Sequence, residues 1–308
     1  MNADYRTVLW GQSQFNTDDN AKNIVQVVEL VKAEFNTLIL FTIHVDAKGD
    51  LYWADKPLAA GGRIVYPWRD EGQDPSLPAL VALLRAGGVE TIMFDIGSGS
   101  PFPPAPQVRD WHHIETLLGK PDTRKALIQN FVVVAEWLGL DGFDFDCEED
   151  DILPDTIATM AALLKPVGAK QLITCSPYMT KSWWLLTLKL IYMDNGQKQL
   201  VDWWNLQVYG GADPVDWIDT MKQYPGPIGV TNPEAFMVAG YSAWTDPLTN
   251  PQGQTPKEIC EELGGLTRQG IKLGGGAIWQ SVAVFGSDYP IGAYSSALLN
   301  GLNGRPCS

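Results

Sequence analysis

Short apolar runs alternate along the chain with longer segments whose apolar residues recur every three or four positions. The short, strand-like runs cover residues 7–10, 37–45, 91–96, 141–147, 171–176, 203–209, 236–241 and 273–279. Between most of them lie helix candidates of the expected period. Residues 20–35 put Ile24, Val27, Val28 and Val31 on one face. Residues 77–85 start after Pro75-Ser76 and stop at Gly87-Gly88, and 122–138 carry Leu127, Phe131, Val134 and Leu138 up to Gly139. Residues 155–164 and 256–268 behave alike. Eight strand–helix units without internal sequence repeats or a low-complexity linker predict a single (β/α)8 barrel domain over residues 1–308. A doubly wound open sheet would need a glycine-rich first turn, which Gly11-Gln12-Ser13 does not supply.

Two connections are long. Residues 46–90 contain Asp50-Leu51-Tyr52-Trp53 and Gly62-Arg63-Ile64-Val65-Tyr66, an expected hairpin inserted after the second strand. Residues 97–121, rich in Gly, Ser and Pro, follow the third. Both leave the C-terminal ends of strands, where barrels build their active sites, and long loops there carry function more often than long loops elsewhere.

The fourth strand changes the picture from architecture to chemistry. Residues 141–151 hold seven acids in eleven positions. Strand side chains alternate between faces, so Asp144, Asp146 and Glu148 share one face and Phe143, Phe145 and Cys147 the other. Helices cover the outside of a barrel. The aromatic face must therefore point outward, and the three carboxyl groups rise through the interior toward the C-terminal mouth. Barrel interiors are normally filled by branched apolar residues. Carboxyls stacked there lose hydration and repel one another, so at least one should hold a proton near neutral pH. A solvated acidic loop explains Glu149, Asp150 and Asp151 but not the alternation before them. A calcium loop starting at Asp141 is disfavoured, since Phe143 and Asp146 fall where a ligand and a glycine are wanted. The sixth strand has the same logic: Trp203, Asn205, Gln207 and Tyr209 share one parity and Trp204, Leu206 and Val208 the other.

Composition narrows the partners. Thirty-six Asp and Glu against 22 Lys and Arg give 308 residues a formal net charge of −14, and phosphate neutralisation needs a basic face, so no nucleic-acid partner is expected. No run of 18 apolar residues exists, so no membrane span is expected. Met1-Asn2-Ala3-Asp4 lacks a basic and then apolar leader, so either the protein is cytoplasmic or a leader has been removed. The four cysteines show no metal-ligand spacing and are too sparse for a disulfide scaffold; free buried thiols are expected, with a pairing of Cys260 and Cys307 left open. His44, His112 and His113 offer neither a triad nor a metal set, and Gly274-Gly275-Gly276 is no phosphate loop. The 12 tryptophans outnumber both the 10 Tyr and the 10 Phe.

Asp141-x-x-Asp144-x-Asp146-x-Glu148 resembles the DxxDxDxE signature of family 18 glycoside hydrolases, the chitinases and endo-β-N-acetylglucosaminidases. The resemblance extends to Asp95-Ile96-Gly97-Ser98 on the third strand, where the family often has Ser-x-Gly-Gly. It includes Gln207-Val208-Tyr209 on the sixth strand. Gly274-Gly275-Gly276-Ala277-Ile278-Trp279 on the eighth is similar to Gly-Gly-x-Met-x-Trp. Asp95 for Ser, Cys147 for Trp, Glu149 for Tyr and Ala277 for Met are departures.

The resemblance implies a retaining, substrate-assisted mechanism, an exception to the two-carboxylate scheme. The sugar's own 2-acetamido oxygen would attack the anomeric carbon to give an oxazolinium ion. Glu148 would protonate the leaving oxygen and then activate water. Asp146 would accept the acetamido N–H, Asp144 would share a proton with Asp146, and Tyr209 would donate to the acetamido oxygen. Asp141, of opposite parity, supports the strand. Trp279 would form a stacking floor, with Gln207, Tyr178, Trp184 and Asp95 as further substrate-binding candidates, and Trp183, Trp53, Trp68 and Trp244 behind them. No cofactor and no metal is implied. The expected substrate is an oligo- or polysaccharide containing N-acetylglucosamine, chitin or chito-oligosaccharides first, cleaved at β-1,4 bonds by a monomer. Secretion is expected for chitin. Only about thirty residues separate the last two strands, which by resemblance implies an open groove and endo action. Alternatives are an endo-β-N-acetylglucosaminidase on glycoprotein glycans, a barrel of the same family that binds sugar without cleaving it, and a metal-dependent sugar-nucleotide transferase.

Overall fold

The computed structural model describes residues 5–12, 20–53, 56–66, 76–97, 109–149, 151–243 and 253–307. Trp68, Ser98, Asp150 and Trp244 lie outside them, as does most of the Gly-Ser-Pro-rich stretch after the third strand. Eight parallel strands close a barrel in the order β1 (Arg6–Gln12), β2 (Thr37–Val45), β6 (Thr91–Gly97), β7 (Gly142–Asp146), β8 (Leu172–Cys175), β9 (Trp203–Gln207), β10 (Met237–Ser242) and β11 (Gly275–Trp279), with β1 paired to both β2 and β11. The expected insertion after the second strand is an antiparallel ribbon, β3 (Leu51–Trp53), β4 (Lys56–Ala60) and β5 (Arg63–Ile64), which extends the sheet from the C-terminal half of β2.

Outside the barrel run α1 (Asn20–Lys32), α2 (Leu77–Ala86), α3 (Asp110–Leu118), α4 (Pro121–Leu138), α5 (Pro154–Leu164), α6 (Lys181–Asp194), α7 (Pro214–Gln223), α8 (Pro233–Phe236), α9 (Pro256–Arg268), α10 (Ser281–Gly286) and α11 (Ile291–Leu302). Local chemistry sets their ends. Helix α4 begins with Pro at its first position and ends at Gly139, whose φ of 62° closes the last turn. Helix α9 opens with a reciprocal Thr255–Glu258 capping box. The connection after the third strand differs from its loop-like composition: its last part folds as α3, whose Trp111, Ile114, Leu117 and Leu118 are buried.

Parity places the two faces of β7 as expected. Phe143 and Phe145 are wholly buried on the outer face, edge-on to Phe131 of α4 at 5.4 Å and to Trp111 of α3 at 5.5 Å. Inside, the barrel is layered. Val8, Trp10, Ile39, Met93, Trp203, Val238 and Ala277 form an apolar floor, and the Arg6 guanidinium lies 4.5 Å from the Trp203 ring. Gly240 leaves room for this floor, since a Cβ there would sit 2.9 Å from the Leu206 carbonyl oxygen and 3.3 Å from the Trp10 ring. Above the floor the interior turns polar.

The cysteines divide. Cys147 and Cys175 are free and buried, as expected, whereas Cys260 of α9 and Cys307 near the C-terminal end form a disulfide with Cα atoms 5.7 Å apart. Sequence spacing hid this pair because 47 residues separate its members; α9 and α11 pack together and bring them into range.

Candidate active site

Strand β7 carries Asp144 and Asp146 into the interior, and Glu148 follows just beyond its C-terminal end. Asp144 is wholly buried and Asp146 nearly so, while Glu148 is half-buried at the mouth. In the neighbouring strand β6, Asp95 sits in register with Asp144 and is also wholly buried. Four carboxyl groups thus occupy one flank of the barrel.

Their hydrogen bonds differ. Asp144 accepts from Thr174 Oγ1 and Ser176 Oγ of β8 and its continuation, and from Asn205 Nδ2 of β9 at 2.9 Å. Gln207 Nε2 donates to Asp146 Oδ1 at 3.0 Å, to Glu148 Oε1 at 3.2 Å and to the Ser176 carbonyl oxygen at 3.0 Å. This one amide therefore bridges the second and third acids of the ladder. Asp95 has one hydroxyl neighbour, Thr42 Oγ1 at 2.6 Å, and its carboxyl is also in hydrogen-bond contact with that of Asp144. Trp203 Nε1 donates to Asn205 Oδ1 at 2.9 Å, which aims the amide nitrogen of Asn205 at Asp144.

Burial raises the acidity constants of this group before any charge is counted. Asp146 is pushed well above the ordinary carboxylate range by lost hydration, then by Glu148, Asp95 and Asp144. Asp95 is pushed well above it by burial and by Asp144. Asp144 is raised less decidedly, because burial is opposed by Ser176, Thr174 and Asn205. The Tyr209 phenol is driven far up by burial and by the Asp146 and Glu148 charges, so its hydroxyl keeps its hydrogen at neutral pH.

Aromatic rings rim the mouth. Strand β9 ends at Gln207 and the chain tightens into a 3-10 turn, Val208–Gly210, which carries Tyr209. The Tyr209 ring lies parallel to Trp279 at the end of β11, with centroids 6.2 Å apart and planes 16° apart. Phe41 and Trp10 meet the same Trp279 edge-on at 4.6 and 6.3 Å. Beside Glu148 a cavity of about 150 Å3 is lined by Tyr178, Met179, Trp183, Trp184 and Asp151 among others.

No protein-family model matches the sequence, and no curated protein matches it as a relative. Solved structures do match. A fungal endo-β-N-acetylglucosaminidase from glycosyl hydrolase family 18 superposes with a TM-score of 0.64 at 17% identity, covering 96% of this chain and 99% of the other. A family 18 chitinase from the chitin utilization locus of Flavobacterium johnsoniae gives 0.61 at 14% identity over 95% and 93%. A chitinase from Aspergillus fumigatus gives 0.61 at 21% identity over 90% and 91%. The barrel is the fold of these neighbours.

Sequence parity and resemblance thus gathered Asp144, Asp146, Glu148, Gln207, Tyr209, Trp279 and Asp95 at one end of one barrel. Tyr178 lines the side cavity. Trp184 touches that cavity too, but it is 3% exposed and packs edge-on to Trp183 and Trp204 under α6. Trp53 lies in the ribbon, buried against Tyr66 and Phe94, with Nε1 donating to the Phe41 carbonyl oxygen. Asp95 stands beside Asp144 on the adjacent strand and is wholly buried. Strand period alone missed Thr42. A register shift between Leu40 and Ile43 turns both Phe41 and Thr42 to the interior, where strict alternation would admit only one. Thr174 and Ser176 share one parity, and that signal was present in the sequence. Among the described residues no group of three His, Cys, Asp or Glu is arranged to hold a metal ion, and no helix is long and apolar enough to cross a membrane.

The remaining acids of the segment have other work. Asp141 Oδ2 accepts from the Ile92 N–H at 2.8 Å and pairs with Arg85 at 3.0 Å. Glu149 accepts from the Trp111 and His112 N–H groups, capping α3, and pairs with the His112 ring. Trp111 in turn donates its indole N–H to the Asp146 carbonyl oxygen at 3.0 Å. Gly97 makes this approach possible: at φ 98° a Cβ there would lie 2.3 Å from the Trp111 ring nitrogen and 2.5 Å from that same oxygen. The backbone of the catalytic candidate is thus clamped from outside by α3.

Proposed function

We propose that the chain is a family 18 glycoside hydrolase that cleaves β-1,4 linkages of N-acetylglucosamine-containing glycans, with retention and through participation of the substrate's 2-acetamido group. The observation that carries this reading is the bridge at the barrel mouth. One amide, Gln207, contacts both Asp146 and Glu148 while Tyr209 and Trp279 lie beside them with parallel rings.

Glu148 is the acid and then the base: at the rim it meets both the leaving oxygen and solvent. Asp146 turns from Glu148 to the acetamido N–H, orienting the group and offsetting the positive charge that develops on it. Asp146 holds its proton strongly while buried beside Glu148, and a hydrogen-bonded substrate N–H favours its anion, so binding itself drives a proton toward Glu148. Tyr209, a phenol that stays protonated, donates to the acetamido oxygen. Trp279 supplies the apolar face on which a pyranose ring stacks. The chitinase neighbours support chitin or chito-oligosaccharides as substrate, and the endo-β-N-acetylglucosaminidase neighbour supports glycoprotein glycans as the second reading. Endo action fits a connection of described residues between β10 and β11 that consists of α9 and its flanks, with no inserted sheet.

The test incubates chito-oligosaccharides, and separately a high-mannose glycoprotein, with wild type and with Glu148→Gln. Release of β-configured sugar by wild type alone supports the mechanism, and which substrate is cleaved selects the reading. Equal rates in the variant would remove Glu148 from the acid role. Loss of wild-type activity in EDTA would favour metal-dependent chemistry instead.

A further inference from the structure

Asp95 is a fourth carboxyl group in a site whose proposed chemistry employs three. Its hydrogen bonds fix its charge. Thr42 Oγ1 lies 2.6 Å from Asp95 Oδ2 and 2.7 Å from the Gly97 carbonyl oxygen. A threonine hydroxyl has one hydrogen to donate and lone pairs with which to accept. The Gly97 oxygen can only accept, so that contact uses Thr42's hydrogen. The contact to Asp95 then lacks a hydrogen unless Asp95 Oδ2 carries it. Asp95 Oδ1 has no N–H or hydroxyl donor among the described residues, and the one other group in hydrogen-bond contact with the carboxyl is Asp144, itself an acid. A carboxylate so placed would be a buried anion without a donor, whereas the carbonyl oxygen of a neutral acid loses far less on burial.

Asp144 has the opposite surroundings. Three neutral donors converge on it, and Thr174 is free to give its hydrogen because Asn205 Nδ2 approaches its oxygen at 3.5 Å. Donors favour the ionised form, so of two buried acids in register Asp144 keeps the charge and Asp95 the proton.

We propose that Asp95 is a permanently neutral carboxylic acid, donating its proton to Thr42, and that as a positioning residue it keeps Asp144 the single anion of the buried layer. The consequence for turnover rests on the hydrolase reading; the protonation state does not. With one anion below it, Asp146 can pass its proton to Glu148 without meeting a second charge. The titratable groups facing Asp95 are Asp144, Asp146, Glu148 and Tyr209, and β2 presents only the non-titrating Thr42. Burial and the field of Asp144 act in the same direction on Asp95.

Carboxyl 13C NMR on protein labelled at aspartate, followed from about pH 5 to about pH 8, tests this beyond the ordinary carboxylate range. In Asp146→Asn, where the other proton-holding aspartate is gone, one aspartate signal should stay at the protonated position, and it should vanish when Asp95→Asn is added to that variant. A wild-type spectrum with no protonated aspartate at neutral pH, or a protonated signal that survives in the Asp95→Asn, Asp146→Asn double variant, overturns the proposal. Should Asp95→Asn not fold, Asp95→Ser makes the assignment; the absence of a protonated signal from Asp146→Asn overturns it without either. Kinetics read the positioning role. Asp95→Ala should lower kcat about tenfold or more with KM changed less than about threefold, and Asp95→Asn, which keeps a hydrogen for Thr42, should recover most of the loss. If Asn is as damaging as Ala and displaces the pH profile by about one unit, the charge matters and the proposal fails. The NMR arm needs no substrate, so a chain that turns over no glycan defeats the hydrolase reading while leaving Asp95 decided on its own.

Discussion

One eleven-residue segment contains two kinds of acid. Asp141 and Glu149 face basic side chains or backbone N–H groups: Arg85 and the Ile92 N–H for the first, the His112 ring and the start of α3 for the second. Asp144 and Asp146, between them in sequence, are held by hydroxyls, amides and other carboxyls, and among the described residues neither forms an ion pair. The difference is electrostatic design. A nearby cation would hold a carboxyl ionised, which suits a brace. Neutral donors in a buried setting leave its charge adjustable, which suits an acid that must take and release a proton. The first pair braces the fold, and the second is the pair to which the proposed chemistry falls, although both lie within one short segment.

Substitutions on each side should separate along that line. Glu148→Gln should produce the largest effect, a loss of about a thousandfold or more in hydrolysis with the thermal transition in place, since positioned acid catalysis alone contributes about 10²–10⁴. Asp146→Asn should follow at about a hundredfold, mainly in kcat, because the acetamido group loses its charged partner as positive charge develops. Steady-state kinetics on chito-oligosaccharides measures both; an unchanged kcat in either would erase the distinction between the two kinds of acid.

The brace side reads out in stability. Asp141→Ala strands the Ile92 N–H and leaves the Arg85 guanidinium with the Gly139 carbonyl oxygen but no counter-charge. Arg85 is 30% exposed and Asp141 2%, so solvent recovers part of the loss, and the cost should be about 2 kcal/mol. Urea unfolding measures it, and folded protein should retain its kcat. A variant that lost activity without losing stability would put Asp141 in the chemistry.

This division was partly legible in the sequence. Period two alone aimed Asp144 and Asp146 inward and Phe143 and Phe145 outward, and the same rule placed Asn205 and Gln207. It could not foresee Thr42, because a register shift breaks the period there. Nor could it foresee that β9 ends at Gln207, so that Tyr209 reaches the mouth on a 3-10 turn rather than on a strand. The spacing of the three histidines offers neither a triad nor a metal set. His112 and His113 lie on α3, and with His44 they tie that helix to the barrel, through Glu149, the Val45 carbonyl oxygen and Asp110 respectively. The tie joins residues far apart in sequence, so no local pattern announces it. The Cys260–Cys307 pairing is undecided by sequence for the same reason.

The buried acids of the ladder and two paired glutamates on the surface should pull the pH dependence of stability in opposite senses. Asp95, Asp144 and Asp146 bind protons more tightly folded than unfolded. The stability they contribute is complete below the unfolded value of about 4 and is lost as the pH rises through their raised values. Glu234 and Glu258, lowered by Lys222 and by Thr255, contribute above about 4.3 and lose that contribution in acid, though both are largely exposed and the effect is small. The melting temperature should therefore be highest in mildly acidic buffer and decline toward alkaline pH. Asp146→Asn should flatten that decline; a profile that rises steadily into the alkaline range would contradict the buried protons.

The smallest expected effect isolates the cap on α3. Glu149 accepts from the Trp111 and His112 N–H groups at 2.9 and 3.2 Å, where a helix start also favours negative charge. Glu149→Gln retains an acceptor oxygen but removes the charge that faces both the helix start and the His112 ring, so it should cost about 1 kcal/mol. Helix α3 holds Trp111, and Trp111 holds the Asp146 carbonyl oxygen. A loosened α3 should therefore reach the ladder weakly. The expected signature is a drop in kcat of less than about threefold beside a measurable fall in the urea midpoint. A large kcat loss at unchanged stability would mean that Glu149 belongs with the adjustable acids, and that strand parity does not divide the segment where charge pairing says it does.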